Sequence, residues 1–406
     1  MARRVVIVGA SLAGLRAAET LRTEGFEGSV VLIGAERHLP YDRPPLSKKV
    51  LAGEWEPDRI ALRKPDEYSS LDFEMLLGER ATALDVHARR VTLASGEHIA
   101  YDGLLIATGS APRRLPNQPN LAGVFELRTL DDCLALRAEF DRSPTRVVVV
   151  GAGFIGAEVA ATARGRGLDV SVVEALPVPL VRGLGAEMGL ACAELHRAHG
   201  VDLRLGTGVE SFEGATRVEA VRLDDGSVIS AEVVVVGVGV APVTDWLKDS
   251  GLELRDGVVC DATLNAGAPD VYAAGDVARW PNALFREEMR VEHWTNAAEQ
   301  GAAAAHNLLA TWAGGAGLPY APVPFFWSDQ YDSRFQFVGR GSDDDEVQIV
   351  HGSVAAGRFV ALYGRAGQLR GALGLSMPKQ LMPYRKLLAA EATWTDALGH
   401  AANTQV

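Results

Sequence analysis

The succession strand, glycine turn, helix, strand, acid occurs twice in this chain, and no other feature narrows its fold as much. In "RRVVIVGASLAGLRAAETL" (3–21) an apolar run, Val5 to Val8, meets Gly9, Ser11 and Gly14, and leucines 12, 15 and 21 follow at helical spacing. In "RVVVVGAGFIGAEVAA" (146–161) four valines meet Gly151, Gly153 and Gly156. Glycines at such a turn let the backbone approach a pyrophosphate, and the free N–H groups and dipole of the following helix favour the anion. Each unit runs on into a second apolar strand that ends in a carboxylate: Glu36 after "SVVLIG" (29–34), and Glu174 closing "LDVSVVE" (168–174). An acid there accepts ribose hydroxyls. Ser11 stands where the second glycine is usual; the later unit is complete.

Two dinucleotide sites in one chain imply a hydride donor and a hydride acceptor, which points to a nicotinamide feeding a flavin. Glu174 repels a 2′-phosphate and so favours NADH over NADPH, with Arg182 the one cation in the stretch after it. Two more segments have the same strand-into-turn character. "YDGLLIATGSAPR" (101–113) runs into Ala107, Thr108 and Gly109, and "DVYAAGDVAR" (270–279) runs into Gly275 and Asp276.

Composition closes off other classes. A chain of 406 residues is long enough for two or three domains, and 48% hydrophobic with 23% charged residues is a globular balance. Its longest apolar runs fall short of a bilayer span, so no membrane segment is expected. "MARRVVIVGAS" reads as a buried first strand rather than a leader, because Arg16 and Glu19 interrupt the apolar run that a leader needs. A formal net charge of -12 argues against a nucleic-acid partner. Cys133, Cys192 and Cys260 lie too far apart for a disulfide framework, a metal site or an iron–sulfur cluster, and suit a reduced, cytoplasmic setting.

With four separated motifs in this order, the chain resembles the two-dinucleotide flavoprotein reductases, from about residue 3 to 385. The resemblance implies an α/β fold with two Rossmann-type dinucleotide-binding domains, one for FAD and one for NAD, and a C-terminal α+β domain. It implies an FAD domain made of 1–113 and 245–316, an NAD domain at 114–244 and a last domain at 317–406. Gly9, Ser11, Leu12, Ala13, Gly14, Glu36, Ala107, Thr108, Gly109, Gly275 and Asp276 would hold FAD. Gly151, Gly153, Phe154, Ile155, Gly156, Glu174, Arg182 and Gly239 would hold the nicotinamide nucleotide. Beyond 317, "RFQFVGRG", "EVQIVHG" and "RFVALYGRAGQLRGALGL" read as antiparallel strands, and "MPKQLMPYRKLLAAEA" as a closing helix.

What stands beside the flavin divides such proteins. Disulfide reductases carry a CxxxxC pair after the first ribose acid, and NADH peroxidases and oxidases carry one cysteine. Here there is none before Cys133, and "LPYDRPPLSK" (39–48) takes the place. That segment resembles the PYxRPPLSK motif of oxygenase-coupled NADH:ferredoxin reductases, the putidaredoxin reductase type. The likeness implies that Arg43 and Lys48 contact FAD, with Lys48 near the flavin N5 and Glu158 its partner near the nicotinamide. A fixed ammonium stabilises the negative charge that hydride brings to the flavin, and prolines hold such a turn at low ordering cost. "VEHWTNAAEQG" (291–301) would place Glu292, His293 and Trp294 at the pyrimidine edge of the ring, with a helix starting near Thr295. Trp327 in "FFWSDQY" would shield the ring or lie near the electron exit.

With too few cysteines for a cluster of its own, such a chain needs an external one-electron acceptor. The resemblance makes it a [2Fe–2S] ferredoxin serving a cytochrome P450 or a ring-hydroxylating dioxygenase, with Arg279, Arg286, Arg290 and Arg334 as candidate docking cations and a monomer as the expected state. The alternatives are a rubredoxin reductase, an NADH oxidase, and an NADH-sensing interaction protein similar to apoptosis-inducing factor.

Overall fold

The computed structural model describes residues 3–116 and 118–404, and the chain divides into two compact units. One contains the described residues up to Asp42 together with Ile60–Ala111 and Ala241–Pro324; the other contains Arg43–Arg59, Pro112–Val240 and the described residues from Phe325 onward.

The first unit is built on a parallel sheet of five strands, in the order 271–273, 103–106, 4–8, 29–34, 74–77. Arg4–Val8 is central because both of its faces are covered: Val5, Val6 and Ile7 have no exposure at all. A buried parallel strand reads as a continuous β-branched run for this reason. From its C-terminal end the chain turns through Gly9 into helix Leu12–Thr23, then pairs Ser29–Gly34 on one side, while Gly103–Ile106 pairs on the other. Helix Trp294–Trp312 packs on Leu12–Thr23 so closely that a Cβ on Gly301 would lie 2.2 Å from the carbonyl oxygen of Ala13. It begins one residue before the expected Thr295, with His293 as its cap.

The second unit repeats that plan, with strands in the order 202–205, 170–174, 147–150, 233–236, 124–125, all parallel. Val147, Val148 and Val149 are fully buried, each contributing about 1.5–3 kcal/mol of burial before ordering costs. Each parallel sheet is accompanied by a three-stranded antiparallel meander just before the strand that returns to the centre: 81–85, 90–93 and 98–100 in the first unit, 209–213, 220–223 and 228–230 in the second. The second unit also holds an antiparallel sheet in the order 325–330, 333–339, 368–375, 358–365, 346–353. Helix Val181–Ala198 lies against it, Leu184, Met188 and Cys192 sharing one core with Phe335, Phe337, Phe359 and Tyr363.

The mixed α/β architecture expected from the sequence is therefore present, with two parallel dinucleotide-type sheets and a C-terminal α+β region. The expected closing helix is shorter than its sequence pattern, Pro378–Ala389, and a second helix follows at Trp394–Asn403. Its start is a capping box, Thr393 with Asp396, the local signal that the periodicity of the segment did not convey. Among the described residues no helix is long and apolar enough to cross a membrane, and no group of three or more His, Cys, Asp or Glu is placed to hold a metal ion.

Candidate active site

In the first unit the motif residues converge on the C-terminal edge of the parallel sheet. Gly9 sits at φ +123, and a Cβ there would lie 2.0 Å from the carbonyl oxygen of Ala107, so the turn and the "ATG" segment touch backbone to backbone. Thr108 donates its hydroxyl to the Val243 carbonyl at 2.8 Å, and Ser110 donates to Asp276 at 2.8 Å. Leu12 and Ala13 are buried in the first helical turn, and Gly14 packs on the oxygen of Gly9. Glu36, two residues past its strand, accepts a hydrogen bond from Tyr41. Gly109 and Gly275 both adopt left-handed backbone, φ 66 and 79.

The backbone N–H of Gly275 donates to Oε1 of Gln300 at 2.8 Å. Gln300 is fully buried, and its Nε2 donor has no protein partner. An amide donor stranded inside a protein costs about 1–3 kcal/mol, which a bound polar ligand recovers. Together with the glycine cradle, this fits the residues of the first unit to a dinucleotide such as FAD. Nothing in the local sequence "VEHWTNAAEQG" singles Gln300 out. From the same string, Glu292 accepts from Arg290 at 2.6 Å, and the Trp294 indole donates to Asp42 at 2.6 Å.

In the second unit two glycines of the turn serve packing and one leaves open space. A Cβ on Gly151 would lie 2.3 Å from the Gly237 oxygen, and one on Gly156 2.1 Å from the Gly151 oxygen, whereas one on Gly153 would meet nothing within 4 Å. The open face at Gly153 is where a pyrophosphate can approach. Glu174 folds back over this turn, accepting from the backbone N–H of Ala152 at 2.7 Å and of Leu176 at 2.9 Å. Ile155 is 48% exposed, while Phe154 packs edge-on against Phe326 with ring centroids 4.7 Å apart. Gly239, at φ 99, accepts from the Arg113 backbone N–H at 2.9 Å. Arg182 belongs to helix Val181–Ala198 by its backbone, and its side chain lies outside the described residues.

If the carboxylate of Glu174 reads ribose hydroxyls, Glu174→Ala should raise the KM for NADH about ten-fold and that for NADPH much less. Loss of the two backbone bonds alone would loosen the turn for both nucleotides, so equal changes in steady-state KM would refute the ribose role.

The proline segment folds into a single 3₁₀ turn, Pro44–Ser47, with Arg43 before it and Lys48 after it. Two prolines at its start fix φ and cost no hydrogen bond there. Arg43 donates to the Arg128 carbonyl at 2.7 Å. Lys48 reaches Glu158 with Nζ 2.9 Å from Oε2, its side chain 15% exposed and that of Glu158 4%. Ser47 donates to the same oxygen at 2.5 Å, and Ser328 to Oε1 at 2.7 Å. Burial pushes the Glu158 carboxyl up, and Lys48 and the two hydroxyls pull it back. Sequence reading paired Lys48 with Glu158 but missed both serines.

Trp327 lies on strand Phe325–Gln330, stacked on Phe325 with centroids 6.2 Å apart. From the same strand, Gln330 donates its Nε2 to Ser328 at 3.2 Å. Beyond it, His196 hydrogen-bonds Tyr331 at 2.8 Å and is held by burial at a pKa of about 4, below its ordinary 6.5. The unfolded chain therefore binds the extra proton first as pH falls, and stability should drop between about pH 6.5 and 4 by up to roughly 3 kcal/mol. His196→Phe should flatten that decline in denaturant melts; an unchanged slope would remove His196 from it.

Of the candidate docking arginines, Arg279 pairs with Glu288 and Asp256, Arg290 with Asp256 and Glu292, and Arg334 with Asp329. Their charge is thus largely met within the protein. All three cysteines are buried and free, and burial raises the Cys133 and Cys260 thiols to about 12. None is a ready thiolate nucleophile.

Comparison with known proteins agrees with this geometry. The pyridine nucleotide-disulphide oxidoreductase family pattern matches residues 3–301, and a reductase C-terminal pattern matches 325–405. Rhodocoxin reductase of Rhodococcus erythropolis is 38% identical over 393 residues, covering 96% of this chain and 90% of that protein. The benzene 1,2-dioxygenase system ferredoxin–NAD(+) reductase subunit of Pseudomonas putida is 36% identical, covering 96% and 93%. Among solved structures, a chain of the covalent putidaredoxin reductase–putidaredoxin complex superposes with a TM-score of 0.91 at 31% identity, covering 99% of this chain and 98% of that one. The chain belongs to the pyridine nucleotide-disulphide oxidoreductase family, and it carries a reductase C-terminal domain.

Proposed function

We propose that this protein is an FAD-dependent NADH:ferredoxin reductase, taking hydride from NADH and passing single electrons to a [2Fe–2S] ferredoxin that serves a cytochrome P450 or a ring-hydroxylating dioxygenase. Bound FAD supplies the chemistry of accepting two electrons together and releasing them one at a time. The observation that carries the reading is the buried Lys48–Glu158 pair beside a complete glycine turn, in a chain without a cysteine where thiol-using relatives need one.

The first unit's turn, with Gly9, Ser11, Leu12, Ala13, Gly14, Glu36, Thr108, Gly275 and Asp276, is assigned to FAD, and Gln300 joins this set through its unpartnered amide. The Gly151–Gly156 turn with Glu174 is assigned to NADH. Lys48 is the cation that meets charge developing on the flavin, Glu158 holds it, and Arg43, Glu292, His293 and Trp294 complete the flavin's surroundings. Domain limits of 1–113 with 245–316 for FAD, 114–244 for NAD and 317–406 for the C-terminal domain accompany the assignment. The chain works as a monomer in the reducing cytoplasm, a setting its three free buried thiols suit.

Purified, FAD-loaded protein given NADH and cytochrome c tests the reading, with oxygen uptake followed in parallel. Cytochrome c reduction should depend strongly on added [2Fe–2S] ferredoxin, with little oxygen consumed. Oxygen uptake at the same rate without ferredoxin would favour an NADH oxidase, and slow turnover with both acceptors would favour an NADH-sensing protein.

A further inference from the structure

We propose that Ser328, on the first strand of the C-terminal sheet, is a positioning residue for the Lys48–Glu158 pair, clamping the carboxylate so that it stays ionised and keeps the ammonium in place. The inference rests on the function proposed above for that pair.

The carboxylate of Glu158 is shared between two parts of the fold. Its Oε2 takes Lys48 and Ser47 from the proline turn, and its Oε1, among the described residues, takes Ser328. All three polar partners are buried or nearly so, Ser328 having no exposure and Ser47 2%. Ser328 cannot turn its hydroxyl elsewhere at will. It has one proton to give, and it already accepts from Nε2 of Gln330 at 3.2 Å, so that proton is left for Glu158. Gln330 is itself fully buried. The result is a directed relay of two hydrogen bonds, Gln330 to Ser328 to Glu158, ending on the oxygen that Lys48 does not reach.

A hydrogen bond to a carboxylate favours its charged form, against the burial that favours the neutral one. Among the described residues, those that act on Glu158 are Lys48, Ser47 and Ser328, with Lys48 the charged one. Beyond Gln330, His196 is held neutral above about pH 4 by burial. Without Ser328, Oε1 is left inside the protein with no donor and becomes the place where a proton adds. A protonated Glu158 holds Lys48 less firmly, and the ammonium loses its fixed position.

The test titrates Glu158 in FAD-loaded protein by infrared difference spectroscopy, with Glu158→Gln as the reference that identifies its carboxyl band. Ser328→Ala should move the titration midpoint up by about one to two pH units, because a hydrogen bond to a charged group has been lost. Ser328→Thr, which keeps the hydroxyl, should stay close to the native midpoint. The acid limb of single-turnover flavin reduction by NADH should move up with the Ala variant by the same amount. A midpoint unchanged in Ser328→Ala, or displaced equally in the Ala and Thr variants, overturns the proposal. Should the Ala variant not accumulate as folded protein, Ser328→Cys, of the same shape and a weaker donor, takes its place; its midpoint should rise, and an unmoved one overturns the clamp. Native protein whose flavin NADH does not reduce would sink the reductase reading instead, since the carboxyl titration needs no hydride.

Discussion

Lys48→Met in FAD-loaded protein should slow reduction of the flavin by NADH about 100-fold or more in a single turnover, while FAD remains bound. The size follows from removing one preorganised charge from a site shielded from water, an effect of about 3–4 kcal/mol on the reacting state. A second consequence follows from the geometry. Glu158 is 3% exposed, and among the described residues Lys48 is its ion-pair partner. Breaking a buried pair strands the remaining charge at a cost of roughly 3–5 kcal/mol, or forces it to take a proton. Lys48→Met should therefore also lower Tm, most of all above the raised pKa of the orphaned carboxyl, where ionisation is demanded and nothing balances it. Combining it with Glu158→Gln removes the stranded charge. The double variant should recover much of the lost Tm and none of the lost rate, as measured by stopped-flow absorbance and thermal melts. Recovery of both would mean that Lys48 serves only the fold. An unchanged rate in the single variant would take the lysine out of the chemistry.

The distinction matters because the two kinds of information were legible in the sequence to different degrees. Local backbone requirements were written plainly. Gly9, Gly151 and Gly156 stand where the chain approaches itself, and four-residue β-branched runs mark strands covered on both faces. Such signals need only neighbours along the chain, so both parallel sheets were readable from them. The C-terminal strands are legible from alternation, but in "FFWSDQY" the tryptophan draws the eye while the backbone forms the first strand of the sheet.

Polar partnerships formed across long sequence separations were harder. Ser47 and Glu158 are 111 positions apart, and Ser328 and Glu158 are 170 apart. A serine next to a lysine or tryptophan has no local peculiarity, and only the meeting of three segments gives it a task. Gln300 and Asp42 were missed for the same reason: the amide matters because Gly275 occupies one end of it, and the carboxylate because the Trp294 indole reaches it. The candidate docking arginines show the converse, since their sequence positions do not reveal their pairing. As a list of cations they suggested a basic patch, but Asp256, Glu288, Glu292 and Asp329 lie beside three of them.

The glycines yield the other large effect, and they separate folding from binding in one experiment. Gly14→Ala places a Cβ 1.9 Å from the Gly9 carbonyl oxygen and 3.2 Å from the Cγ2 methyl of the fully buried Ile7. The Gly9 oxygen is backbone and cannot move aside as a side-chain end can, so the helix must back away from the sheet. Overpacking of a tight core costs about 1–3 kcal/mol, and more where backbone is the obstacle. FAD retention should collapse together with Tm in this variant. Gly153→Ala is the same chemical change with opposite surroundings: φ is -75, a value alanine adopts freely, and nothing lies within 4 Å of the new methyl. That variant should fold with an unchanged or slightly raised Tm and full FAD content. If a pyrophosphate uses the open space, the methyl intrudes on it, and NADH binding should weaken at least ten-fold by fluorescence titration. Unweakened binding in Gly153→Ala would mean that the nucleotide does not approach this turn, and the second site would have to be sought elsewhere on the unit. A stable, FAD-loaded Gly14→Ala would mean instead that the first helix has room to move, contrary to the backbone contact on which its position depends.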